Sequence, residues 1–218
     1  MREVIEEILH FQCGHTYSLP LNIAALCRTL GLELRPLSAI VRESGMSAAE
    51  VCAFWGNPDG ALQRLGGRYV ISYNDAQPAR RQRFTLCEEI SHYLLGHLDE
   101  PGFSVFSQDY REEVYLRCEK EARFAAGLLL CPPRWFFTHE KELGERAIMR
   151  CCGVSLACAR HILADYACCG NRIRACPTYG FAQINGESRD PRLIFRSVDP
   201  SPEKSSCKSG ADTVKYTG

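Results

Sequence analysis

Apolar residues recur at helical spacing in two long stretches of the chain. In residues 77–97, Leu86, Ile90 and Leu94 stand four positions apart and define an apolar stripe with charged residues beside it. Residues 111–130 carry a second stripe, and a pair of prolines follows its end. Both stretches are predicted to be helices, and their stripes need a core in which to pack.

Alternating patterns upstream of the first long helix predict strands. Residues 61–65 and 68–74 flank a Gly-Gly pair, which predicts a β-hairpin. Residues 32–37 also alternate, and a proline within them marks an edge strand. Shorter helices are predicted at residues 4–10, 20–30, 48–55, 144–152 and 155–168. The mixture predicts an α+β protein in which a small antiparallel sheet packs on the helix of residues 77–97 and a mostly helical half follows.

The end of the chain differs in composition. From Asn185 onward Pro, Ser, Lys and Asp accumulate and the periodicity fades. This pattern predicts disorder from about residue 197. We therefore predict one domain over residues 1–178 and a C-terminal extension over residues 179–218.

Charge and hydropathy exclude several classes of function. The 26 basic and 26 acidic residues cancel, so no global field favours nucleic acid or a membrane surface. No apolar run reaches the length of about 18 residues that a membrane-spanning helix needs, and the acidic N-terminus does not resemble an export signal. We therefore expect a cytoplasmic protein without a membrane partner, whose 13 cysteines are thiols rather than disulfides.

Residues 144–152 and 155–168 are joined by a short break and superficially resemble a helix-turn-helix. The second helix offers Arg160 and His161 but no cluster of base-reading side chains. Two packed core helices are the simpler interpretation, so direct binding of nucleic acid is not expected.

The candidate chemistry lies in the first long helix. Positions 88–92 read E-E-I-S-H, which is the zinc-peptidase motif H-E-x-x-H with glutamate in place of the first histidine. On a helix, His92 is rotated by about 400° from Glu88 around the helix axis, which is little more than one full turn, so the two residues share a face. Glu89 is rotated by about 100° from Glu88 and lies to the side of that face. The same letters are also typical of a solvated helix edge, so the pattern alone leaves both interpretations open.

A zinc-peptidase site needs a third protein ligand from elsewhere, with a fourth position left for water. The best candidate is Glu119, on the second long helix, which can pack against the first. A single glutamate on a helix is more often solvated, so its position alone does not assign it this role.

Four motifs in order resemble the ImmA/IrrE metallopeptidases, cytoplasmic zinc enzymes often encoded on mobile elements. Residues 83–86 (R-F-T-L) and 92–97 (H-Y-L-L-G-H) match that family's active-site helix, and residues 119–133 resemble its E-x-E-A…L-L-x-P-P segment. Residues 69–75 resemble the hairpin leading into the helix, and residues 18–23 resemble an upstream helix start. The resemblance covers roughly residues 15–170 and implies a zincin-like fold.

The resemblance also implies residue roles. His92 and Glu119 correspond to zinc ligands and Glu89 to the general base, while Glu88 occupies the first-ligand position without being a histidine. His97 corresponds to a trailing histidine that is not a ligand, and on a continuous helix it would point about 140° away from His92. A later histidine or tyrosine should stabilise the oxyanion, the candidates being Tyr110, Tyr115 and His139.

The glutamate at position 88 leaves three outcomes open. In the first, Glu88 binds the ion with His92 and Glu119, and this oxygen-rich set holds Zn²⁺ less selectively and admits Mn²⁺ or Fe²⁺. In the second the site is empty and inactive, and in the third the helix is only structural. Crowded carboxylates repel one another unless they take up protons or a cation, which favours a bound metal.

The function implied by the resemblance is zinc-dependent cleavage of a protein, typically a DNA-binding helix-turn-helix repressor, in response to a stress or mobile-element signal. Such cleavage would regulate transcription. The alternative is a catalytically inactive relative that binds a repressor or another partner as a regulatory module.

Overall fold

The computed structural model describes residues 1–14, 18–103 and 108–181. The helices of that part are α1 (Arg2–Gly14), α2 (Ile23–Leu30), α3 (Leu37–Ser44), α4 (Ala48–Trp55), α5 (Ala79–Leu94), α6 (Glu112–Leu130), α7 (Pro133–His139), α8 (Glu145–Cys151) and α9 (Leu156–Arg174). The strands are β1 (Glu33–Pro36), β2 (Gly60–Leu65) and β3 (Arg68–Tyr73). Short 3-10 turns occupy His97–Asp99 and Pro177–Phe181.

Most elements form where the sequence pattern predicts them. β2 and β3 form the predicted hairpin around the Gly-Gly turn. α4 forms over the predicted residues 48–55 and begins after Ser47, which exchanges hydrogen bonds with Glu50 in a capping box. α5 and α6 cover the two long apolar stripes. The periodicity of the side chains therefore decides the main helices.

Local hydrogen bonding changes some boundaries. α2 begins at Ile23 rather than at residue 20, because the Asn22 side chain accepts a hydrogen bond from Ala25 N–H and caps the helix there. The sequence pattern does not predict α3 or α7, which have 8 and 7 residues. α7 starts at Pro133, whose fixed φ suits the first helical position.

The sheet has three strands in the order β1-β3-β2. β2 pairs with β3 antiparallel, with Leu62 opposite Ile71, and β1 pairs with β3 in parallel, with Leu34 opposite the same residue. The α+β class is confirmed, although the sheet is mixed rather than wholly antiparallel. Two intervening helices, α3 and α4, supply the chain length that a connection to a parallel neighbour requires.

The main core lies around α5 and α6, which pack against each other. Ile90 on α5 and Leu129 on α6 have 0% exposure. α5 also contacts β2 and β3, and α6 contacts α1 and α9. The polar edge of α5 therefore lies in the space between the hairpin and α6.

Cysteines and the last two helices complete this core. All twelve cysteines in the described part are free, and nine are buried, where they pack as small hydrophobic side chains. α8 and α9 contribute Ile148 and Ile162, both buried. Within the described ranges, no individual helix has the length and apolar composition to cross a bilayer; α8 and α9 meet both criteria only together, and they are bent by 111°.

The predictions for the C-terminal extension fall almost entirely outside the described residues. These predictions are the extension over residues 179–218 and the disorder from about residue 197. The turn Pro177–Phe181 is described and contacts α1.

Candidate active site

Glu89 is a buried carboxylate held against the sheet. It lies on α5 with 7% of its surface exposed, and its Oε2 accepts a hydrogen bond of 2.7 Å from the backbone N–H of Leu62 on β2. Burial raises the pKa of Glu89 to about 7, while the nearby His92 opposes this rise. A carboxyl group that titrates near neutrality can take up and release a proton at working pH.

His92 and Glu119 approach each other across the α5–α6 contact. His92 Nε2 lies 3.4 Å from Glu119 Oε1. Burial lowers the pKa of His92, whereas the surrounding carboxylates raise it, and Glu119 contributes most among them. Together the carboxylates outweigh burial, so the pKa of His92 is raised overall. Burial raises the pKa of Glu119, but the contact with His92 and smaller contributions from other neighbours lower it, and the pKa of Glu119 is lowered overall. Two of the three predicted ligands therefore come together.

Glu88 lies beside this pair, and its charge is incompletely compensated. Burial raises its pKa, Arg123 opposes the rise and Glu119 adds to it. Arg123 Nε lies 3.4 Å from Glu88 Oε1, yet that oxygen is buried and has no hydrogen-bond partner. A buried acceptor without a partner is costly. A divalent cation would supply the partner, and carboxylate and imidazole are donors that such an ion accepts, although the ligand atoms of Glu88, His92 and Glu119 do not all lie within 4.8 Å of one another.

The prediction that His97 points away from His92 is wrong. α5 ends at Leu94, and Gly96 adopts a left-handed conformation with φ 68°. This turn brings His97 back, with its Nδ1 2.9 Å from His92 Nδ1 and only 4% of the residue exposed. The helical-wheel argument fails because it assumes a helix that continues through the glycine.

The two histidine rings are linked to a third group. His97 Nε2 lies 3.4 Å from Glu121 Oε2 on α6. When His92 is protonated on both nitrogens, its Nε2–H faces the Glu119 carboxylate and its Nδ1–H donates to His97 Nδ1. A neutral His97 then carries its proton on Nε2, which faces Glu121. Burial lowers the pKa of His97 to about 3, and His92 adds to this effect, so its ring is neutral. The chain of contacts holds the His92 ring in one orientation.

A second group of metal-type ligands, which the sequence reasoning missed, surrounds His97. The ligand atoms of His97, Cys118 and Glu121 all lie within 4.8 Å of one another. The ligand atoms of Glu88, His92 and Glu119 do not all lie within this distance of one another in the described part of the chain. Cys118 and Glu121 stand three positions apart and share a face of α6, a spacing that could have been noticed.

A cleft opens beside Glu89 and His92. It has a volume of about 450 Å³ and is lined by β2, Phe103 and Tyr115, among others. Burial raises the pKa of Tyr115 to about 12, with a contribution from its interaction with Glu119. Of the other two oxyanion candidates, Tyr110 packs near the Tyr115 ring, and His139 contacts Trp135 on its own helix. Tyr115 is the candidate of the three that lines the cleft.

Comparison with known proteins identifies a family for the chain. Residues 54–163, which are 110 of the 218 residues, match the peptidase M78 family model, described as the IrrE N-terminal-like domain. The match includes β2, β3, α5 and α6, and the chain belongs to this family. No curated protein and no solved structure matches the chain.

Proposed function

We propose that this member of the IrrE N-terminal-like family is a metal-dependent endopeptidase, in which Glu88, His92 and Glu119 hold the ion. The observation that carries the proposal is the 3.4 Å approach of His92 to Glu119, beside a buried Glu88 oxygen that accepts no hydrogen bond. Imidazole nitrogen and carboxylate oxygen are ligands for Zn²⁺, and a set rich in oxygen also accepts Mn²⁺ or Fe²⁺. Bound there, the ion would polarise a scissile carbonyl and acidify water.

Glu89 is the proposed general base. Its Oε2 is anchored by Leu62 N–H, so we assign Oε1 as the atom that takes a proton from the attacking water. The same proton then passes to the leaving amine as the C–N bond breaks. Tyr115 keeps its proton at neutral pH because its pKa is about 12, and its hydroxyl can donate a hydrogen bond to the developing oxyanion.

The cleft suits an extended peptide. β2 is an edge strand of the described sheet, and residues 60–65 line the cleft beside Glu89 and His92. A free strand edge can accept a peptide as an added strand, with backbone hydrogen bonds that align it. A peptide bound in this way would present its backbone to Glu89.

The substrate that we propose is a DNA-binding helix-turn-helix repressor, cleaved in response to a stress or mobile-element signal. This assignment rests on the resemblance to the ImmA/IrrE peptidases. The formal net charge of zero supports recognition of the repressor rather than of its DNA.

A catalytically inactive, partner-binding module is the second candidate, and the contact between Glu88 and Arg123 favours it. The guanidinium lies 3.4 Å from the carboxylate that would have to bind the ion, and its charge repels a cation. In such a module the cleft would still bind a peptide, but no bond would break.

Cleavage of helix-turn-helix repressors from the same genome, after chelation and metal add-back, tests the proposal. We expect cleavage to return with Zn²⁺, Mn²⁺ or Fe²⁺. Glu119→Gln should raise the metal concentration for half-maximal cleavage by at least about tenfold, and Glu89→Gln should abolish cleavage. Arg123→Gln, which frees Glu88, should lower that concentration.

Matched controls separate the two candidates. Glu113→Gln alters an exposed glutamate in the first turn of α6 and should leave the metal requirement unchanged. Repressor binding without cleavage in every metal, and unaffected by Glu89→Gln, would replace the peptidase with the binding module. Glu88→His restores the usual motif and should tighten metal binding.

A further inference from the structure

We propose that His97, Cys118 and Glu121 form a second metal site, for Zn²⁺ or a similar divalent ion, and that it competes with the site at Glu88, His92 and Glu119. The ligand atoms of the three residues lie within 4.8 Å of one another. The second site goes beyond the peptidase function, because no step of that reaction uses it, while its competition with the first site rests on the proposed function.

The residues of the second site are held by the fold rather than gathered on the surface. Cys118 has 0% exposure and His97 has 4%, and the Glu121 side chain is 18% exposed. Cys118 and Glu121 share a face of α6, and the turn at Gly96 brings His97 to that face. The ligands thus approach from two separate elements, as in a site built by tertiary packing.

The chemistry of the donors selects the ion. A thiolate, an imidazole nitrogen and a carboxylate oxygen are the three ligand types that Zn²⁺ prefers. Three protein ligands leave a fourth tetrahedral position for water. A thiolate disfavours Mg²⁺ and Ca²⁺, which take oxygen ligands.

The competition follows from the proton between the two histidines. His92 Nδ1 and His97 Nδ1 are 2.9 Å apart, a distance that accommodates one proton. A neutral His92 that binds an ion through Nε2 must carry its proton on Nδ1, and the same holds for a neutral His97. Both ions at once would therefore set two N–H groups against each other. Filling the second site weakens the first.

The neighbouring cation Arg117 moderates this site without closing it. Arg117 Nη1 lies 3.6 Å from Glu121 Oε2, while its Nη2 lies 2.7 Å from Glu100 Oε1. The side chain is 48% exposed. It can keep the Glu100 contact while Glu121 turns towards an ion, since an exposed ion pair contributes little.

Cobalt titration of the reduced, chelator-treated full chain tests the proposal. Co²⁺ can replace Zn²⁺ in sites of this kind, and a thiolate ligand adds an ultraviolet charge-transfer band that oxygen and nitrogen ligands do not give. The first site contains no sulfur, so it does not contribute to the band. We expect the band in the wild type, its loss in Cys118→Ala, and at least about a tenfold higher half-maximal Co²⁺ concentration in Glu121→Gln.

The controls address other thiols, folding and the competition. Cys168→Ser changes the exposed cysteine and should keep the band, and circular dichroism checks that Cys118→Ala remains folded. Glu119→Gln weakens the first site and leaves the histidine pair intact, so it should lower the half-maximal Co²⁺ concentration for the band. No lowering in that variant would overturn the competition.

The outcomes also separate this proposal from the peptidase function. The absence of a thiolate band in the wild type, or a band that survives in Cys118→Ala, would overturn the second site even if metal add-back restores cleavage. A Cys118-dependent band supports the second site whether or not metal add-back restores cleavage, so the two proposals are tested separately.

Discussion

Replacing Glu89 with glutamine should stabilise the metal-free protein, and the gain should depend on pH. Glu89 is 7% exposed, and burial raises its pKa from an ordinary 4.5 to about 7. Glutamine keeps an oxygen that can accept the hydrogen bond from Leu62 N–H, but it carries no charge for burial to disfavour. The same change that removes the proposed base should therefore strengthen the fold.

The expected gain follows from the difference between the two pKa values. A carboxyl group whose folded pKa is raised contributes stability that is fully present below about pH 4.5 and is lost as the pH rises through about 7. At about 1.4 kcal/mol per pKa unit, the wild type should lose about 3 kcal/mol relative to Glu89→Gln above pH 7. Glu88 and Glu119 share part of this energy, so the figure is an upper value.

Urea denaturation of chelator-treated protein, on both sides of the pH range from 4.5 to 7, measures this difference. Glu50→Gln is the opposite control. Hydrogen bonds from Ser47 lower the pKa of Glu50, so that variant should become less stable than the wild type as the pH rises. A gain for Glu89→Gln that does not change with pH, or a loss above pH 7, would refute the reasoning. Added Zn²⁺ should stabilise the wild type by binding the folded state.

Three further substitutions test how the fold supports the site. Gly60→Ala should destabilise the protein by about 1–3 kcal/mol in thermal unfolding, because its Cβ would lie 2.7 Å from the backbone oxygen of Ser72. Gly144→Ala should show no such loss of stability, since the added atom meets nothing within 4 Å. Arg83→Met should lower the free energy of unfolding, measured in urea, by about 2 kcal/mol, since Arg83 Nη2 donates to the carbonyl oxygens of Leu21 and Cys152. An equal loss of stability in Arg80→Met, which changes an exposed arginine, would contradict this explanation. Asp75→Asn should lower the free energy of unfolding by about 1 kcal/mol at pH 7, because burial raises the pKa of Asp75 but hydrogen bonds from Ser38 lower it overall. The difference from the wild type should disappear as the pH falls through the folded pKa of Asp75. A difference that persists in acid would exclude this cause.

The family and most elements could be predicted from the sequence because they depend on local order. Residues 88–92 and 119 belong to segments whose apolar residues recur with a helical period. That period predicts α5 and α6, and both helices form. The Gly-Gly turn predicts the hairpin that supports Glu89, and it also forms. In each case neighbouring residues decide the conformation.

The site needed more than periodicity. Nothing in the spacing predicts that Leu62 N–H holds Glu89, since this bond joins residues 27 positions apart. Likewise, the contact of Arg123 with Glu88 depends on how α6 lies against α5. Burial raises the pKa of both carboxyls and these contacts oppose the rise, and both effects arise only when the helices and the sheet pack.

The sequence by itself determined most of the helices, the hairpin, the family and the residue types available for binding a metal. Only the tertiary structure decided which of those residues meet. The turn at Gly96 joins His97 to His92 and sets it beside Cys118 and Glu121. The physical reason is that helical period is a property of neighbouring residues, whereas the direction of a side chain after a helix ends depends on one backbone angle and on the packing that follows it.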